Sequence, residues 1–138
     1  MTYRDEFEHI TKEAYVAIFK ATGPIFDGLL REVRELSKKK PEATMSGGKV
    51  KMINRVLEDL LIILKDQPTG KYLDRLDDAT LPQMSDALLT MVQFNTALDA
   101  FKAMHLKRVG GSYHWITEEI LNDWDDAESE IEIDDDDD

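Results

Sequence analysis

Three histidines, His9, His105 and His114, carry the only imidazoles of the chain, and no two stand within four residues of each other. Imidazole is the usual general acid or base near neutral pH, and two of them one helical turn apart often begin a metal site. The spacing here forms no such pair. With no cysteine in the sequence, a disulfide framework, a thiolate metal site and a cysteine nucleophile are all excluded. Carboxylates cluster at Asp74, Asp77 and Asp78 and again at Asp123, Asp125 and Asp126, but neither set has the spacing of a calcium loop. The first set suits the lead into a helix, whose positive end favours acids. The expectation is a chain without metal, cofactor or enzymatic activity.

Two constellations come nearer to chemistry. Ser46, Gly47, Gly48 and Lys49 resemble a phosphate cradle, in which unhindered amides and a lysine meet an anion at a helix start. A P-loop also needs a glycine five positions before the Gly-Lys pair and a hydroxyl after the lysine; Ala43 and Val50 stand there instead. The segment therefore reads as the start of a helix. An arginine four to six residues before a histidine on an all-helical domain resembles the HEPN ribonucleases, and Arg4 with His9 and Arg108 with His114 have that spacing. The resemblance implies metal-independent RNA cleavage, the histidine handling the proton and the arginine the phosphate charge. Residues five apart on a straight helix point about 140° away from each other, and the second pair straddles Gly110 and Gly111.

These residues need elements to hold them, and the periodicity supplies an all-α bundle of about five helices. A first helix, about 3–21, follows from Tyr3, Phe7, Ile10, Ala14, Ala17, Ile18 and Ala21. Gly23 and Pro24 suggest a break and a restart over 24–39, with Phe26, Leu29, Leu30, Val33 and Leu36 inward. Ser46 caps a central helix, 47–66, whose apolar arc of Val50, Ile53, Val56, Leu57, Leu60, Leu61 and Leu64 is wide. Thr80 with Gln83 forms a capping-box pattern for a long helix, 81–107, with Met84, Leu88, Met91, Leu98 and His105 on its inner face. Asn95 falls among them, where a buried amide needs partners; a ligand pocket shared with His105 is the sharper reading. A last helix, 113–128, carries Ile116, Ile120, Trp124 and Ala127 on one stripe, leaving Trp115 off it. One helical domain, 1–128, and a disordered acidic tail, 129–138, complete the expectation.

Charge is unevenly laid out. Met1 to Arg108 holds 17 Lys and Arg against 16 Asp and Glu, whereas Val109 to Asp138 holds 13 acids and no base. Within the near-neutral body, Arg31, Arg34, Lys38, Lys39, Lys40, Lys49, Lys51 and Arg55 face only Glu32, Glu35 and Glu42 over the same stretch. The leading expectation is a non-enzymatic helical binding or adaptor protein whose C-terminal region engages a basic partner protein. Trp115, Asp123, Asp125, Asp126, Glu128, Asp134, Asp135, Asp136, Asp137 and Asp138 are its candidate partner-binding residues. One alternative is nucleic-acid binding through those eight cations, autoinhibited by the tail. Another is a DNA mimic that occupies a DNA-binding enzyme. No run approaches the roughly 18 apolar residues of a membrane span, and Met1 to Lys20 lacks a signal peptide's apolar stretch, so a cytoplasmic location without membrane contact is expected.

Overall fold

The computed structural model describes residues 2–136, and the side chains of 2–130. It is mostly helical, with four α-helices and one short hairpin: α1 Glu13–Lys39, α2 Gly47–Leu64, α3 Met84–His105, β1 Leu106–Val109, β2 Ser112–Trp115 and α4 Glu118–Asp136. Single 3-10 turns occupy Tyr3–Glu6 and Gly70–Tyr72. The chain separates into a helical unit, Ala17–Phe101, and a terminal unit made of Met1–Val16 and Lys102–Asp138.

The five-helix expectation is corrected at both ends of the chain. Helices expected over 3–21 and 24–39 are one, α1, with Pro24 inside it. A proline interior to a helix removes a hydrogen bond and costs about 3 kcal/mol. A stripe at steps of three and four, Thr22, Phe26, Leu30, Val33 and Ser37, is buried across the proline without a change of phase, and that burial offsets the cost. The expected inner face of the first segment fails with it. Ala14, Ala17 and Ala21 are exposed, because alanine buries too little area to orient a helix, and Tyr3 belongs to a separate 3-10 turn.

In the helical unit, α2 starts where Ser46 accepts the backbone N–H of Lys49 at 3.2 Å, a capping contact. Of the expected arc Val50, Ile53, Leu57, Leu60 and Leu64 are buried and Val56 and Leu61 half-buried, and Ile63 is buried beside them. After α2 the backbone folds so tightly that a Cβ at Gly70 would collide with the carbonyl oxygens of Leu64 and Lys65; glycine alone fits. Asn54, buried on α2, donates to the Leu76 carbonyl at 2.9 Å and accepts the Leu76 N–H at 2.8 Å. One side chain thereby satisfies both polar groups of a loop residue. The turn-like stretch after Pro41 is zipped to the lead into α3: Met45 N–H donates to Pro82, Met84 N–H to Ala43 and Ser85 N–H to Pro41. That pairing delays α3 to Met84, three residues beyond the expected start. Met84, Ala87, Met91, Phe94, Leu98 and Phe101 are then buried along it.

In the terminal unit the sequence reading placed helix where the chain forms a hairpin. Leu106 pairs with Trp115, Lys107 with His114, Arg108 with Tyr113 and Val109 with Ser112. Gly110 and Gly111 have φ of 59° and 87°. Positive φ at both centres of a two-residue loop defines the type I′ turn that matches strand twist, and side chains other than glycine are strained there. Thr11 forms a parallel bridge with Thr117, its N–H donating to Ile116 at 2.9 Å and its carbonyl accepting from Glu118 at 2.9 Å. Thr117 then caps α4, its hydroxyl accepting the Ile120 N–H at 3.1 Å. The expected boundary near 129 does not end this helix. Its backbone continues to Asp136, with no glycine or proline from Glu118 onward to stop it.

Candidate functional site

The seven acids of α4 from Glu118 to Glu130 are sorted by the helix into structural and outward-facing sets. Asp125 accepts the backbone N–H of Tyr3 at 2.9 Å, and Glu119 accepts that of Glu13 at 3.0 Å. Glu118 lies 3.8 Å from the Arg4 guanidinium, which also reaches the Asn122 carbonyl oxygen at 3.5 Å. Asp123, Asp126, Glu128 and Glu130 are exposed. At about 100° per residue, Asp123, Asp126 and Glu130 lie within about 60° of one another. Their arc is opposite the buried Thr117 and Leu121, so an acidic stripe runs along the solvent face of a helix whose other face is packed. Asp134, Asp135 and Asp136 lie in α4 by backbone, their side chains beyond the described ones; Asp137 and Asp138 lie outside the described residues.

Beside this helix is an aromatic cleft of about 500 Å³ lined by Tyr3, Val109, His114, Trp124, Ala127 and Glu128. The Tyr3 ring stands 5.4 Å from that of Trp124 at 66°, and the His114 ring stands 5.3 Å from it at 88°. Both are edge-to-face arrangements. Three parts of the chain supply these rings, and each is fixed locally: Tyr3 by its amide on Asp125, His114 by the hairpin register, and Trp124 by the capped helix. Trp115, the expected partner contact, is half-buried in β2 opposite Leu106, while Trp124, placed on the packing stripe, lines the cleft.

The eight cations of the basic stretch are all exposed but do not share one face. Arg31, Arg34 and Lys38 fall within about 60° on α1, and Lys51 and Arg55 within about 40° on α2. Lys49 instead lines a groove of about 130 Å³ with Leu29, Leu36 and Met52. Lys39 closes α1 and Lys40 follows it, while Lys38 also bonds Glu35 at 3.1 Å. Gly47 and Gly48 form the first turn of α2.

In each Arg–His pair the two residues have different neighbours. Arg4 turns to Glu118 and Asn122, whereas His9 lies near Glu8 and 6.5 Å from the His105 ring. Arg108 pairs with Tyr113 and His114 with Lys107, which puts Arg108 and His114 on opposite faces of the hairpin. Residues of the two pairs meet elsewhere: His9, Lys107 and Arg108 line a cleft of about 380 Å³ together with Glu6 and Glu8. His105 is buried and Asn95 half-buried, and neither lines any of these three cavities. The buried amide is Asn54. Among the described residues no group of His, Asp and Glu is placed to hold a metal ion, and no helix is long and apolar enough to cross a membrane. No known protein family matches the chain, and neither a curated protein nor a solved structure is similar to it.

Proposed function

We propose that the chain is a non-enzymatic binding protein whose α4 engages a basic partner protein. The observation that carries this reading is the stripe of Asp123, Asp126 and Glu130 on the solvent face of α4, in a stretch with no lysine or arginine after Arg108. A like-charged helix face weakens the free protein, because carboxylates at steps of three and four repel. A cationic partner removes that repulsion on binding and is steered to the face by its field. The stripe is also anchored rigidly. Asp125 and Glu119 hold backbone amides of the N-terminal segment, so the exposed acids are presented on an element whose register is fixed.

The test is titration of a basic peptide of mixed lysine and arginine against the fluorescently labelled full chain at about 50 and 200 mM salt. Binding should be seen at low salt and weaken at high salt. The triple substitution Asp123→Lys, Asp126→Lys and Glu130→Lys should weaken it at least about tenfold, the sum of several exposed pairs. Absence of binding at low salt, or binding indifferent to the triple substitution, overturns the reading. An oligonucleotide in the same titration reads the nucleic-acid alternative, favoured by the stripe of Arg31, Arg34 and Lys38 on α1.

A further inference from the structure

We infer that the cleft between Tyr3, His114 and Trp124 receives an arginine side chain of the basic partner. The inference rests on the reading of α4 as a partner-binding helix and adds the position and chemistry of the contact. The cleft is large enough to bury a guanidinium head and its aliphatic stem. Its lining includes three rings and one carboxylate, Glu128, and no lysine or arginine. Rings set at 66° and 88° to the Trp124 plane make walls of differing orientation around one space, and a flat cation can lie on a ring face while its edge meets a carboxylate.

Charge complementarity selects this occupant over others. An anionic ligand would meet Glu128 in the cleft and the outward carboxylates of Asp123, Asp126 and Glu130 along the same helix. No lysine or arginine lines the cleft. Arg4, next to Tyr3 in sequence, is held by Glu118 and Asn122, and Lys107, which pairs with His114 in the hairpin, lines the separate cleft with His9. An uncharged apolar ligand would bury the Glu128 carboxylate beside it without a partner, which costs free energy. Between the two cationic side chains arginine fits better, because its guanidinium is planar, weakly hydrated and able to stack and to bond a carboxylate bidentately, whereas an ammonium is a compact hydrated point charge.

Two short peptides of equal charge, one alternating arginine with glycine and serine and the other lysine with glycine and serine, test this on the full chain. The arginine peptide should bind several-fold more tightly. Trp124→Leu should weaken it about tenfold while changing the lysine peptide little, and Glu128→Gln, at an exposed position that does not threaten folding, should weaken it about threefold. The chain has two tryptophans, so its indole N–H resonances can be assigned with Trp115→Phe. Only that of Trp124 should move as the arginine peptide is added. If both peptides bind equally and remain sensitive to the α4 triple substitution but not to Trp124→Leu or Glu128→Gln, the cleft assignment fails and the acidic-helix reading survives. If neither peptide binds at low salt, both fail.

Discussion

The helical unit and the terminal unit are held by different physics. Ala17–Phe101 buries a continuous apolar set, among which Phe26, Phe94, Phe101, Leu57, Leu60 and Leu64 are fully enclosed. Among the described residues, the terminal unit buries only Val16, Ile116 and Leu121 of its apolar side chains, together with Thr11, His105 and Thr117. It compensates with directional contacts: the Thr11 bridge to residues 116 and 118, the I′ turn, the Thr117 cap, and carboxylates of α4 on N-terminal amides. Area-based burial is insensitive to exact geometry, whereas hydrogen bonds demand it. A segment built from the latter places side chains such as Tyr3 and Trp124 precisely without enclosing them, and binding sites need that combination.

The largest expected effect is in the helical unit. Phe94 is fully buried, and Phe94→Ala should cost about 3–5 kcal/mol of unfolding free energy, from lost transfer and the cavity left behind. Urea titration followed by far-UV circular dichroism measures it. A cost below about 1 kcal/mol would mean that the apolar set is loosely packed, and the contrast between the units would lose its basis.

The same contrast explains which parts of the fold were legible in the sequence. In α2 the arc from Val50 to Leu64 reads directly, because a helix stabilised by burial must display its buried face as periodicity. The Phe26 to Leu36 face of α1 reads equally well, although Pro24, a usual helix stop, lies inside the helix. The hairpin did not read at all. Leu106 to Val109 and Ser112 to Trp115 are four residues each, too short for alternation to emerge, and the two glycines serve a helix end as well as a turn. The candidate site divides likewise. The acidity of α4 is plain in the sequence, but which acids turn outward depends on Asp125 and Glu119 meeting amides more than a hundred residues away in the chain. The cleft depends on Tyr3 meeting Trp124 over a similar separation, and local pattern cannot report such a contact.

A smaller effect is expected from the terminal unit. Thr117→Val keeps the shape of the side chain and removes only its hydroxyl, leaving the Ile120 N–H without its 3.1 Å acceptor. Loss of the cap should cost about 1–2 kcal/mol. Amide hydrogen exchange sharpens the comparison, since protection is read residue by residue. Exchange over 112–121 should accelerate more than exchange over 50–64. Equal acceleration in both stretches would show that the directional contacts support the whole chain and not one unit.

The smallest expected effect belongs to a charge in the loop before α3. Asp77 accepts the backbone N–H of Ala79 at 2.8 Å and of Thr80 at 3.0 Å, and the two bonds, that from Thr80 first, hold its carboxyl below the usual value of 3.8. A carboxylate with a lowered folded pKa stabilises the fold fully above the unfolded value, and that contribution is lost as pH falls through the folded one. Asp77→Asn retains an oxygen that can accept the same amides but removes the charge, so it isolates the titrating part. The variant should melt slightly lower than the parent at neutral pH, by less than Thr117→Val does, because Asp77 is open to solvent and water screens it. The gap should close as pH is lowered through and below the ordinary carboxylate range. A gap that persists unchanged in acid would mean that the loop depends on the geometry of the side chain and not on its charge, and the helical unit would then share the directional character assigned to the terminal one.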